Sequence, residues 1–175
     1  MRAALLAAAL LALIAATAGA QRRRPDIDIP DQNDWRREDP PPRPSVGDAA
    51  ERAETLLSAI LADDPERARN FFFPQEPFRV LKGIADPDRY WNVLWRHYER
   101  DIHAMHEEIP SDATFERFVL GRRGGWVERR QEANALPYWA ARHAFVHYRS
   151  GERERRFEIR TLINWGPRWY ITHLR

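Results

Sequence analysis

Polar and apolar positions alternate along the C-terminal part of the chain, where Phe157, Ile159, Thr161 and Ile163 are interleaved with Glu154, Arg156, Glu158 and Arg160. A period of two predicts a strand with one buried and one wet face. Ser150-Gly151-Glu152 and Trp165-Gly166-Pro167 flank it as turns, so residues 138–149, 153–164 and 168–174 read as three consecutive antiparallel strands. With a three-residue first turn Arg149 faces Arg153, and Phe145 meets Phe157, His143 meets Ile159, Ala141 meets Thr161 and Trp139 meets Ile163. A two-residue turn that sets Arg142 against Ile159 and Phe145 against Arg156 loses this apolar match, so the longer turn is expected. The second turn, read the same way, sets Ile163 against Trp169, Thr161 against Ile171 and Ile159 against His173. The expected buried face therefore carries Trp139, His143, Phe145, Ile159, Thr161, Ile163, Trp169, Ile171 and His173, and it requires a cover.

The pattern changes to a helical period further upstream. Ala53, Leu56, Leu57, Ile60 and Leu61 mark one helix through about Ala62, entered near Ser45 with Asp48 three residues on. Asp64-Pro65-Glu66 starts a second, with Asp as N-cap and Pro at the first position, and Phe71-Phe72-Phe73 form its buried end before Pro74. Residues 77–81 read as a short strand. Asp86-Pro87-Asp88 repeats the start signal for the longest helix, which runs to Pro110 with a stripe of Trp91, Leu94, Trp95, Tyr98, Ile102, Met105 and Ile109. This stripe is the expected cover for the sheet. Residues 115–120 and 126–131 read as a further hairpin around Gly121-Arg122-Arg123-Gly124-Gly125.

Composition narrows the class. With no cysteine, the chain has no disulfide, thiolate nucleophile, cysteine-bound zinc or lipoprotein anchor. Its 28 basic and 26 acidic residues leave +2, and Lys82 is the only lysine among the basic residues. A pI near 9.3 with charges so nearly balanced is not the clustered basic face of a nucleic-acid binder, so no nucleic-acid partner is expected. The 7 Trp, 5 Tyr and 8 Phe provide ample area for a compact core.

Residues 1–20 have the form of a signal peptide: Arg2, an Ala/Leu stretch, then Ala18-Gly19-Ala20 as a small-residue cleavage site. Arg22-Arg23-Arg24 follow at once and resist translocation, which leaves an uncleaved membrane anchor as the alternative. The expectation is export to the periplasm or the medium, with no membrane span after leader removal. Residues 21–47 carry Pro25, Pro30, Pro40, Pro41, Pro42 and Pro44 among many charges, with little to bury except Ile27, Ile29 and Trp35. They predict a disordered proline-rich linker that is dispensable for folding. Residues 48–175 form the domain.

Helices first, then the aromatic helix at 87–109, then the sheet over 157–174 ending in Trp165-Gly166-Pro167-Arg168-Trp169-Tyr170-Ile171: over residues 46–174 this order resembles the NTF2-like (SnoaL-like, cystatin-like) superfamily. The chain departs from that family where a strand pair commonly precedes the long helix. The resemblance implies an α+β fold, N-terminal helices packed on a curved antiparallel sheet, that encloses a cone. Trp91, Trp95, Tyr98, Trp139, His143, Phe145, Ile159, Trp169 and His173 would line it. Family members include isomerases, dehydratases, hydrolases and non-catalytic binding or assembly domains, and no catalytic motif of theirs is present to transfer.

Candidate chemistry is sparse. His103 and His106 share a helical face at i,i+3 spacing, but no His-Glu-x-x-His pattern completes a metal site. His143 and His173 start about 10 Å apart across Ile159, too far to share a metal, although either alone can serve as a general base in a pocket. The competing reading is a core histidine bonded to backbone. His147 and His97 are expected at the rim or surface. Arg142, Arg156 and Arg160, with Glu154 and Glu158, are expected on the opposite sheet face as a solvated mixed ladder, the face on which NTF2-like domains form homodimers. Arg122-Arg123 could hold a phosphate at a turn or stand solvated. The sequence thus predicts an exported, non-catalytic binding or assembly domain offering an aromatic cone to a small apolar or aromatic ligand or a protein partner, without cofactor or metal. The alternative is an NTF2-like enzyme of isomerase or dehydratase type, with His143 or His173 as the base for proton transfer.

Overall fold

A computed structural model describes residues 27–37 and 39–175; the expected leader, its cleavage site and Arg22-Arg23-Arg24 lie outside the described residues. The fold is α+β, with the helices preceding a curved, unclosed antiparallel sheet. Helix α1 (Ala49–Leu61) starts at Asp48 without a side-chain cap. Ser45, expected to cap it, instead offers its carbonyl to Trp169. Asp64-Pro65 opens a 3-10 segment (Pro65–Phe71) rather than an α-helix, with Asp64 accepting from the N–H of Glu66. Residues 77–81 are not a strand: they belong to α2 (Gln75–Leu81). Helix α3 (Pro87–Glu108) begins as its sequence signal predicts, with Asp86 accepting from the N–H of Arg89 and Pro87 in the first turn.

The sheet comprises β1 (Thr114–Val119), β2 (Trp126–Val127), β3 (Tyr138–Ser150), β4 (Arg153–Trp165) and β5 (Arg168–His173). Its strand order is β1-β3-β4-β5. The expected β1–β2 hairpin does not form, because both strands pair with β3 along one edge. Between them the chain presses so close to β3 that a Cβ at Gly121 would lie 1.9 Å from the carbonyl oxygen of Arg142.

Both hairpins turn through two residues, not three. Ser150 faces Arg153 around Gly151-Glu152, and Trp165 faces Arg168 around Gly166-Pro167. Gly151 and Gly166 have φ of 55° and 57°, the left-handed first position that two-residue hairpin loops require. The register therefore differs by one residue from the expected one. Ala144 faces Ile159, Val146 faces Phe157, Arg142 faces Thr161 rather than Ile159, and Phe145 faces Glu158 rather than Arg156. The shorter turn moves the register the opposite way from that expected and keeps an apolar match. On β5, Ile163 faces Tyr170 and Asn164 faces Trp169, and an irregularity then brings His173 opposite Thr161. A one-residue slip exchanges the faces of β3 relative to β4, so Trp139, His143 and Phe145 share a side with Glu158 and Leu162 rather than with Ile159.

The alternation of β4 holds as far as Arg160; Leu162, Ile163 and Asn164 are then buried in succession. The second face is covered there by residues 30–37 and 39–45, which the composition predicts to be part of a disordered linker. Asn33 is fully buried, donates to the carbonyls of Pro137 and Asn164, and accepts the N–H of Gly166. Trp139 donates to the carbonyl of Pro41 and Trp169 to that of Ser45, and Arg43 lies over the Trp169 ring. Trp35 remains half exposed under Arg129. Proline-rich chain needs few backbone partners of its own, so it can lie across a sheet and be held by side-chain donors.

Candidate functional site

The aromatic stripe of α3 is interior, but it is already filled. Trp91 and Trp95 stack with their rings 5.8 Å apart, and Phe72 packs edge-on against both and at a tilt against Tyr98. Arg69 lies 4.2 Å from the Trp95 ring centre. Trp91 donates to the carbonyl of Phe73, Tyr98 to that of Ala68, and Trp95 to the carboxylate of Glu99. Phe72 in turn bridges to Ile171, and the N–H of Phe73 donates to the carbonyl of Ile171, so this segment flanks β5. These rings pack on one another and on residues 68–73; they do not line an empty cone. A groove of about 510 Å3 beside them, over Arg69, Phe72 and Trp91, is broadly open to solvent.

A smaller cleft, about 160 Å3, lies between α2, α3 and the sheet. Phe78, Leu94 and Ile163 form its apolar floor, and Lys82, Glu132, Tyr138, Arg142, Thr161, Thr172 and His173 supply the polar groups. Four of these belong to one directed network. Lys82 Nζ donates to Asn134 Oδ1 at 2.6 Å, Asn134 Nδ2 donates to the Tyr138 hydroxyl at 3.1 Å, and that hydroxyl donates to Glu132 Oε2 at 2.9 Å. Arg142 reaches the other oxygen, Oε1, at 3.3 Å. The chain of donors runs from buried Asn134 and Tyr138 out to the Glu132 carboxylate, which Tyr138 and Arg142 reach directly, and bonds in such a chain polarise one another.

Local structure explains the placement. Lys82 follows the last turn of α2, and its backbone bridges Asn134. The loop carrying Glu132 and Asn134 is clamped beneath it by Gly83 N–H to Ala133 and Ala135 N–H to Leu81. Within this loop Arg130, Glu132 and Ala133 all have positive φ, at 73°, 49° and 57°. Non-glycine residues in this region each cost on the order of 1–3 kcal/mol, and such strain concentrates at ligand clamps and active sites. Burial pushes the Lys82 ammonium below its ordinary pKa, against the opposing pull of Glu132. Burial is also the main cause that raises the Tyr138 hydroxyl, which stays protonated as a donor. His173 is pushed down, first by desolvation and then by Arg160, Lys82 and His97.

Of the residues expected to line a cone, His173 borders this cleft. Trp91, Trp95, Tyr98 and Ile159 are buried in the core. Trp139 and Trp169 are bound to the N-terminal segment. His143 lies exposed, 2.7 Å from Glu158, and Phe145 is covered by Arg156. Both are on the outer face, so His143 is removed as a pocket base. Arg142, expected outside, is in the cleft; the register difference accounts for both reversals. His103 contacts Asp63 and His106 contacts the carbonyl of Ile60, so the Nδ1 of each ring is engaged with the end of α1. No cluster of metal-binding side chains occurs among the described residues. His147 is buried, not at the rim, between Arg117 and Glu154. No described helix is long and apolar enough to cross a membrane.

Sequence reasoning missed Lys82, Glu132, Asn134, Tyr138 and Arg142. One signal was available: a chain that uses arginine almost throughout has one lysine, and it lies here. Comparisons with family models, with curated proteins and with solved structures gave no match to this chain.

Proposed function

We propose that this is an exported binding domain, NTF2-like in arrangement, whose ligand is a small polar molecule held in the cleft above Phe78, Leu94 and Ile163. The observation that carries this reading is the directed network from Lys82 and Arg142 onto Glu132, built on a strained loop at the mouth of a part-apolar cavity. A few convergent polar groups over an apolar floor are the usual composition of a small-molecule site. The volume is below the ~300–1,000 Å3 typical of drug-sized ligands, so a fragment-sized compound suits it. The aromatic rings of α3 serve the core in this reading, and the ligand is polar rather than aromatic.

The test is an NMR screen of the mature chain against small acids, amines, alcohols and sugars. Binding in the cleft shifts the amides of Ile163, Thr172 and His173, and Tyr138→Phe weakens it. Hits that perturb only the open groove over Arg69, or none at all, would reject the reading.

A second reading, proton transfer in the same cleft, is favoured by one observation. Desolvation lowers the His173 pKa and so favours the neutral form that a general base needs. Its Nδ1 contacts Thr172 Oγ1 at 3.2 Å. Solvent-deuterium exchange into small ketones, lost in His173→Gln with ligand binding intact, would establish it. Export is tested by N-terminal sequencing, which should begin at Gln21; full-length protein in the inner membrane would defeat it.

A further inference from the structure

We infer that Glu132 is a built-in carboxylate occupying an anion subsite, and that the ligand of the cleft is a small carboxylate that takes its place. This rests on the cleft being the binding site and names the chemistry it takes.

The donors are better anchored than the acceptor they share. Tyr138 and Asn134 are buried, and Asn134 is fixed by its backbone bridge to Lys82 and by the N–H of Arg130 on its carbonyl. Lys82 orients the Asn134 amide so that its NH2 meets the Tyr138 oxygen, which leaves the hydroxyl proton to point outwards. Glu132, by contrast, has about half of its side chain exposed and, like Ala133 after it, has a left-handed φ on a surface loop. Swinging it into water desolvates nothing, whereas the Tyr138 hydroxyl left behind is a buried donor that requires a new acceptor. Tyr138 takes one carboxylate oxygen and Arg142 the other. A planar carboxylate with one oxygen for each donor reproduces that geometry. The remainder of a short ligand would rest on Leu94 and Ile163. Charge agrees, since Lys82 and Arg142 are two cations against one carboxylate in the lining.

The probes are acetate, propionate, acetamide and inorganic phosphate, titrated into the full mature chain and followed by NMR and calorimetry. Propionate should bind wild type weakly and bind Glu132→Ala about tenfold more tightly, because the internal competitor is gone. Glu132→Gln should tighten it less, and Arg142→Gln should abolish it. Dispersed amide spectra like that of the wild type would show that each variant remains folded. Glu132→Ala leaves the buried Tyr138 hydroxyl without its acceptor, so its melting temperature should fall and propionate should recover it. Propionate binding that weakens in Glu132→Ala would overturn the inference. So would acetamide equal to acetate, or phosphate stronger than either, while leaving the cleft as a site for another ligand. No probe or screened compound perturbing the cleft would remove both proposals.

Discussion

Asn33 and Gly166 are 133 residues apart, yet the Asn33 side-chain oxygen accepts the Gly166 N–H at 2.8 Å, inside the turn between β4 and β5. The same carboxamide donates to the carbonyl of Pro137 at 3.0 Å, so one buried amide ties the N-terminal segment to both strands at the open end of the β3–β4 pairing. Asn33→Ala leaves a buried N–H and a buried carbonyl without these partners, and each such group costs about 1–3 kcal/mol. A chain starting at Ser45 loses Asn33, Pro41 and Arg43 together and uncovers Trp139 and Trp169. Both proteins should melt well below the mature chain in calorimetry. Identical melting temperatures would restore the view of residues 21–47 as a passive linker.

Trp95 and Arg100 test the face of α3. Trp95 is buried between Trp91, Phe72 and Arg69, so Trp95→Ala should cost about 3–5 kcal/mol in chemical denaturation. Arg100 projects into solvent with only a 3.6 Å contact to Asp101, and Arg100→Ala should stay within about 0.5 kcal/mol. Equal effects would contradict the orientation of the helix.

Gly121 tests the close approach at the β1–β2 edge. An alanine Cβ there would lie 1.9 Å from the oxygen and 2.6 Å from the carbonyl carbon of Arg142, and 2.9 Å from that of His143, all of them backbone atoms. Rotamer changes cannot relieve such contacts. Gly121→Ala should lower stability by about 1–3 kcal/mol, as overpacking does, and should shift the Arg142 and His143 amides in NMR spectra. Wild-type stability and spectra would contradict the close approach of Gly121 to β3.

His103 and His173 should titrate on opposite sides of the ordinary histidine value near ~6.5. The hydrogen bond and charge of Asp63 raise His103. Its contribution to stability is complete below ~6.5 and is lost as pH rises through the higher folded value. Desolvation lowers His173, so the folded state resists its protonation, and stability falls as pH drops from ~6.5 towards the lower folded value. NMR titration reads both, and Asp63→Asn should return His103 towards the ordinary value while leaving His173 in place. A single shared pKa would disprove the assignment.

Local chemistry was legible in the sequence wherever neighbours along the chain decide the outcome. The stripes of α1 and α3, the Asp-Pro starts at Asp64 and Asp86, the turn glycines and the alternation of β4 each depend on residues within a few positions of one another. They sufficed for an α+β fold with helices before an antiparallel sheet. Register did not follow, because β3 presents substantial side chains on both faces: Trp139, His143 and Phe145 on one, Tyr138, Val146 and Tyr148 on the other. Hydrophobic matching alone cannot choose between two such faces; the two-residue Gly151-Glu152 turn chose, and the N-terminal segment covered the face left over. That single step exchanged Arg142 for His143 in the cleft. The network around Glu132 is likewise a product of tertiary structure. Lys82, Asn134, Tyr138 and Arg142 come from the end of α2, a strained loop and the first half of β3, and only the clamp of that loop beneath α2 links the first three in a chain that ends, with Arg142, on one carboxylate.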